Sequence, residues 1–416
     1  MSADSDGEGY EYPRLRPVEA FPADLQGRQV LCLRDPQQYC GGVVYLPTQT
    51  ASILGLFDGQ HSLLDIQAAF VRRFGTLLFR EQLLDVVRSL DEHYLLDSPR
   101  FAAHRTAVEE GFRRARSRPA SLAGKSYPVE RDALRQQLDS YFVAADGPGT
   151  TPPTPAASRL AGLVVPHIDF ARGGPCYAWG YREVEGAPTV DRWVILGTVH
   201  APITRAFALT RKDFETPLGT VETDREFVDR LLATVGESYL EDEPAHRGEH
   251  SIEFQAVFLR HRIPENTPVR IVPILCGSFH RFVEERRSPF QDGEIEGFVA
   301  GLRDALATMG GHSMILASAD LAHVGPRFGD SRPMTPGQLR EVADADREML
   351  AAVEAGDAEA LFRAVARDGD RRRICGLPPI YAMLRILGGR QGRLLRYSLW
   401  PDPQGTVSFA ALALYA

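Results

Sequence analysis

Three apolar runs in this chain end beside a histidine. They read "LAGLVVPHIDF", "VILGTVHAP" and "SMILASADLAHVG", and they deliver His167, His200, and Asp320 with His323. Neutral imidazole is a common ligand of iron, zinc and copper. A single histidine after a strand is ordinarily a hydrogen-bonded loop residue, but three in equivalent places favour a shared site. Cys375 is a further candidate, in "RRRICGLPPIYAMLRIL". Three arginines precede it, and Pro378 and Pro379 fit the first turn of a helix. Both surroundings favour a thiolate, the form that binds metal or attacks a substrate; a buried structural cysteine is the competing reading. Cys276, in "VPILCGSF", ends a strand without helix or arginines and reads as core. "GEHSIEFQAVFL" sets Glu249, His250 and Glu253 at a helix start, where His250 and Glu253, three apart, share a face, as do Glu249 and Glu253, four apart. These carboxylates either complement the helix dipole or orient ligands and substrate from behind.

Such residues need strands to carry them, and the chain from Leu160 on supplies these. Strands are predicted at 160–165, 192–196, 206–209, 269–275, 313–317 and 394–399. Helices are predicted near 175–183, 224–235, 250–260, 294–308, 337–354, 357–366 and 378–387. This alternation predicts an α/β layered domain, in which ligands gather at the carboxyl ends of strands. Ahead of it, "ERDALRQQLDSYFVAA" predicts one helix and "DGPGTTPPTPAAS" a loop too rich in proline for helix or strand. Closer to the N-terminus, "RQVLCLRDP" and "GGVVYLP" read as strands. Three helices follow: "TQTASILGLFDG", "SLLDIQAAFVRRFG" capped by Ser62, and "REQLLDVVRSLDEHYLL". That order is winged-helix-like. The expected division is a disordered tail over 1–13, the small module over 14–105, a polar, proline-broken linker over 106–120, and the α/β domain over 121–416.

Bulk properties narrow the function classes. A length of 416 residues favours two domains or more. The net charge of −8 argues against sequence-independent binding to nucleic acid. Five widely spaced cysteines fit a reduced compartment and no disulfide framework. The polar start "MSADSDGEGYEYP" is no signal peptide, and no apolar run approaches the roughly 20 residues of a membrane span. A cytoplasmic protein without membrane partners is the expectation.

Taken in order, "VVPHIDF", "VILGTVHAP", "GEHSIEFQ", "VRIVPILCGSF", "LASADLAHVGPRFG", "RICGLPPI" and "GTVSFAALALYA" resemble the Memo family, whose bacterial members are called AmmeMemoRadiSam system protein B. "LAGKSYPVERDALRQQLDSYF" resembles that family's opening, so the resemblance covers roughly 121–416. It implies the layered fold of the class III extradiol dioxygenases around a metal pocket. It also implies iron, with copper in some members, held by His167, His200 and Cys375. Asp320 and His323 fall on pocket residues, the latter at the acid/base position of the ring-cleaving enzymes; Glu249, His250 and Glu253 match a further motif. This chain has Pro-His-Ile-Asp and Gly-Thr-Val-His where the family has Pro-His-Ala-Gly and Gly-Pro-(Ser/Asn)-His, so Asp169 offers the pocket another carboxylate. The module over 14–105 resembles PqqD-like winged helices, which bind leader peptides.

The resemblance implies a non-haem iron oxidoreductase with an unidentified substrate, a peptide or protein being one candidate, with His323 moving protons and Asp320 orienting it. Two histidines and a thiolate leave roughly three of six octahedral positions open, and the soft thiolate also admits Cu(I). Two alternatives stand beside it. One is metal-assisted hydrolysis with Glu249 or Asp320 as base. The other is a non-enzymatic metal- or peptide-binding partner of a radical-SAM enzyme and an AMMECR-type protein.

Overall fold

The computed structural model describes residues 8–150, 159–186 and 190–416. They fall into two compact units that divide between Arg114 and Ala115. Residues 1–7 of the expected tail and 151–158 of the expected proline-rich loop lie outside the described residues.

The first unit opens with three antiparallel strands, β1 (Glu19–Leu25), β2 (Arg28–Arg34) and β3 (Val43–Pro47). The short α1 (Thr48–Ala51) follows, then α2 (Leu63–Phe74), α3 (Arg80–Glu92) and α4 (Pro99–Arg114). Ser62 and Asp65 form a capping box that starts α2. Leu63, Ile66 and Phe70 of α2 and Leu83, Val87 and Leu90 of α3 pack on Leu33, Val44 and Leu46 of the sheet. The sequence reading missed β1 because Pro22 interrupts it; as an outer strand it tolerates a residue without an N–H.

Two boundaries need correction. Residues 8–13 belong to this unit: Glu8–Tyr10 form a helical turn, Tyr10 bonds Asp91 at 2.8 Å, and Leu63 N–H donates to Glu11 at 3.0 Å. Nor is 106–120 a linker. Its first part continues α4, whose sequence looked like a connector because the helix buries only Phe101 and Phe112. Its later part is a strand of the second unit, β4 (Ser117–Arg118).

The second unit continues with α5 (Arg131–Val143), β5 (Leu160–Val165), α6 (Phe170–Arg182), β6 (Arg192–Thr198), β7 (Phe207–Leu209), β8 (Asp213–Phe214) and β9 (Glu222–Thr223). Next come α7 (Arg225–Val235), α8 (His250–Arg262), β10 (Arg270–Cys276), α9 (His280–Glu285), α10 (Gly293–Met309), β11 (Ser313–Ser318) and β12 (Asp320–Val324). The chain ends with α11 (Pro336–Glu354), α12 (Ala358–Ala366), α13 (Leu377–Leu387), β13 (Gly392–Trp400) and β14 (Thr406–Tyr415).

The main sheet runs β12-β14-β5-β11-β6-β10-β7, with β13 beside β14 and β9 beside β10. Its centre, β5-β11-β6-β10, is parallel; β14 runs antiparallel against β5. Parallel strands are covered on both faces and so read as unbroken apolar runs. Alternate residues serve opposite cores. Trp193 and Ile195 pack with residues of α5, α6 and α8, whereas Val194 and Leu196 pack with α7 and α10 to α13. This is the expected α/β layered fold. Among the described residues no helix is long and apolar enough to cross a membrane.

Candidate metal centre

Ser318 pairs with Val165 on one side and Gly197 on the other, so β5, β11 and β6 stop at one level. His167, Asp320 and His200 each follow two residues beyond a strand end. The N-terminal half of α8 is stitched across these ends. Ser251 Oγ donates to Thr198 O at 2.7 Å, and Gln255 Nε2 donates to Pro166 O at 2.8 Å and to Ser318 Oγ at 2.7 Å. Ser318 Oγ in turn donates to Ser251 O at 2.6 Å. Gly197 permits the approach, since a Cβ there would lie 2.6 Å from Ser251 Oγ.

This framework pins three imidazoles. His167 Nδ1 donates to Ser318 O at 3.0 Å. His200 Nδ1 lies 3.1 Å from both oxygens of Glu249, and His250 Nδ1 lies 3.1 Å from Glu249 Oε1. Carbonyl and carboxylate oxygens only accept, so each Nδ1 carries its ring's proton and each Nε2 presents a lone pair. Glu249 is also the N-cap of α8. It accepts the N–H of His250 at 2.7 Å, of Ser251 at 3.0 Å and of His200 at 2.8 Å. The ligand nitrogens of His167, His200 and His250 all lie within 4.8 Å of one another. His250, expected as an outer-shell or catalytic residue, belongs with His167 and His200 to a group that could hold an ion.

Asp320 and Cys375 border this group. Asp320 Oδ1 accepts the N–H of His167 at 2.9 Å and of Ile168 at 3.1 Å, so it fixes the His167 backbone. The expected orienting bond from Asp320 to His323 is replaced by another, because His323 Nδ1 bonds Leu321 O at 3.1 Å. Cys375 Sγ lies 3.4 Å from His167 Nε2 and 3.6 Å from Asp320 O. The Cys375 loop is pressed home by Gly376, whose N–H donates to Asp320 O at 3.0 Å; a Cβ there would lie 2.4 Å from that oxygen.

Burial and charge set the protonation states. Burial, reinforced by His200 and His250, holds His167 well below the usual imidazole pKa. Burial opposes charge on Glu249, but His200 and His250 outweigh it and keep the carboxyl well below its usual range. Burial raises the Asp320 pKa against the pull of His323 and of the His167 N–H. Burial brings His323 down to about 4 despite Asp320. The Cys375 thiol is pushed well up by burial first and by Asp320 next, so the expected thiolate does not form unaided. The arginines ahead of it are engaged elsewhere: Arg372 with Asp346 at 2.5 Å and Arg373 with Asp330 at 2.9 Å, while Arg371 is exposed. Pro378 and Pro379 also remove two N–H groups from the start of α13.

Two expected pocket carboxylates face other tasks. Glu253 is fully buried and binds Arg118 at 2.6 Å, Ser121 Oγ at 2.8 Å, Leu122 N at 2.9 Å and the Tyr127 hydroxyl. It ties the start of the second unit to α8. Asp169 caps α6 through Arg172 N and pairs with Arg172 Nε at 2.6 Å. Cys276 is core, as read. The sequence reading gave no site role to Arg118, which ties the start of the second unit to α8, or to Gln255, which holds α8 on the strand ends. The signal for Gln255 was polarity inside a helix that otherwise buries; Arg118 sits among exposed residues and carried none.

A family model described as Memo-like protein matches residues 118–412. The chain belongs to the Memo-like family. This Memo-like protein is 27% identical over 393 residues to a MEMO1 family protein of Aquifex aeolicus, covering 92% of this chain and 95% of the relative. It is 29% identical over 338 residues to one of Thermus thermophilus, covering 81% and 94%. It is 29% identical over 297 residues to one of Methanopyrus kandleri, covering 70% and 95%.

Proposed function

We propose that this Memo-like protein is a metal-dependent oxidoreductase whose centre lies at His167, His200 and His250, with Cys375 beside it. The observation that carries the reading is that oxygen acceptors hold all three Nδ1 atoms while one ligand nitrogen from each ring lies within 4.8 Å of the others. Imidazole nitrogens beside a thiol suit iron, with copper as the alternative ion. Bound iron would supply Lewis acidity and electron transfer. His323, with Nδ1 occupied by Leu321 O, has Nε2 available to take and return a proton. It stands close enough to feel the charges of Asp320, His167 and His200. Phe328 packs edge-on against the His323 ring at 5.0 Å and joins Ile168 in an apolar cluster, a wall that excludes water from one side. Such a wall favours a substrate with an apolar flank, and a peptide or protein side chain offers one.

The test is elemental analysis and oxygen uptake of anaerobically purified protein. Iron should copurify, and His167→Ala and His200→Ala should each abolish tight binding. His323→Ala should keep the metal and lose turnover. If both ligand variants bind iron like the parent, the site is wrongly placed; iron-loaded protein inert toward oxygen would defeat the oxidoreductase reading.

A further inference from the structure

His323 lies on β12, and the sheet is irregular just ahead of it. Asp320 pairs with Phe409 and His323 with Val407, so Leu321 and Ala322 together stand opposite Ser408 alone. Such a β-bulge bends its strand and re-aims the side chains around it. The Leu321 carbonyl, one of the bulged pair, lies 3.1 Å from His323 Nδ1 and fixes the ring. The aim of His323 and the place of its proton therefore depend on the bulge.

Bulged amides fall out of the backbone ladder, and buried ones need other acceptors. The Ala322 N–H donates to Ser408 Oγ at 2.9 Å, and the His323 N–H donates to Arg372 O at 2.7 Å. Those acceptors come from β14 and from the loop ahead of α13, yet one carboxylate holds both residues. Asp346, on α11, is 0% exposed. Its Oδ1 accepts from Arg372 Nη1 at 2.5 Å, and its Oδ2 accepts from Ser408 Oγ at 2.6 Å. The Tyr397 hydroxyl, from β13, also donates to Oδ2 at 2.9 Å. Three donors offset the cost of burying the charge.

Resting on the reading of His323 as the residue that moves protons, we propose that Asp346 is a positioning residue: from inside the core it fixes both acceptors of the β12 bulge and thereby aims the His323 ring. Asparagine would keep its shape but turn one acceptor into a donor, opposing either Arg372 or the two hydroxyls. Ser408→Ala would remove one of the two acceptors directly. Tyr397→Phe would take a bond from the same carboxylate while leaving the links from Asp346 through Arg372 and Ser408 to β12 in place.

The experiment uses full-length, metal-free protein with 15N-labelled histidine at neutral pH. Ring-nitrogen shifts, assigned with His323→Gln, report the His323 tautomer in the parent and the three variants. The parent and Tyr397→Phe should hold the Nδ1–H form, whereas Asp346→Asn and Ser408→Ala should give a mixture of both tautomers. In the iron-loaded proteins, oxygen uptake should fall by about tenfold or more in those two, since a misplaced group costs up to about a hundredfold, and by less than about twofold in Tyr397→Phe. Iron content should stay the same throughout. If Asp346→Asn does not fold, Ser408→Ala decides alone. A parent-like tautomer in Ser408→Ala, an equal shift in Tyr397→Phe, or full oxygen uptake from a variant whose ring has shifted overturns the inference. A parent that takes up no oxygen defeats the oxidoreductase reading instead, and the tautomers still decide what Asp346 does.

Discussion

Replacing Arg118 by Met tests how the second unit holds the histidine cluster. The Arg118 and Glu253 side chains are both 0% exposed and meet at 2.6 Å. Arg118 also donates to the carbonyls of His246 at 2.6 Å and Glu249 at 2.7 Å. Methionine fills similar volume but strands a buried carboxylate and two carbonyls. Breaking one side of a buried ion pair costs about 3–5 kcal/mol. At roughly 2 °C per kcal/mol for a domain of this size, the melting temperature should drop by about 6–10 °C. The double variant Arg118→Met/Glu253→Gln removes both charges and should recover part of that loss. The pH dependence follows from Glu253. Burial raises its pKa, but Arg118 leads the opposing influences and leaves it net below the ordinary value. A depressed folded pKa means the pair stabilises fully above the usual glutamate range and less as pH falls through the folded value. The gap between parent and variant should therefore narrow in acid. Differential scanning calorimetry from neutral to acid pH reads all of this. A single variant that melts with the parent, or a double variant as unstable as the two singles added, refutes the reasoning.

Glu249→Gln should weaken metal binding by about 10–100-fold, because an amide cannot accept from every N–H that the carboxylate now serves; unchanged affinity by calorimetric titration would count against the assigned pinning. The metal-free protein should lose stability as pH falls from about 6.5 toward about 3, because burial depresses His246 from 6.5 to about 3 and the unfolded chain takes up that proton first. His246→Gln should flatten this acid limb in urea titrations, and an unchanged limb would show that other groups dominate. A fragment beginning at Ala115 should fold, whereas one beginning at Ser121 should aggregate for want of Arg118; equal solubility of the two would remove Arg118 from the account.

Much of this fold was legible because parallel, doubly covered strands announce themselves. β5, β6, β10 and β11 are short apolar runs, and α2 and α3 of the small unit carried a cap or an apolar stripe. The strand β14 was not legible. Every residue from Thr406 to Leu414 is buried, so it shows no alternation, and its alanines and leucines suit a helix as well. β12 was hidden for a different reason: it begins at Asp320 and continues as backbone pairing with β14, which leaves no trace in side-chain pattern. At the site, His167 and His200 were legible from their place after strands. His250 was assigned a supporting part because its neighbours Glu249 and Glu253 look alike in sequence, four residues apart on one helix. Only packing separates them: Glu249 faces the imidazoles and Glu253 faces Arg118 and Tyr127.

That separation explains why the start of α8 is built from charged residues yet buried. An N-cap carboxylate satisfies the first amides of a helix and meets the positive end of its dipole. Glu249 does both and has acceptor capacity left over, which it spends on His200 and His250. The cost of burying that charge is thereby offset by local helix chemistry before any ion arrives. Glu253, one turn on, repeats the device with Arg118 as its cation, so the helix carries its own electrostatic anchor. A cation entering the cluster would meet rings already oriented by a charge the fold has stabilised independently. The centre's preorganisation thus resides in α8 and its cap, and the strands contribute the level at which the other donors emerge.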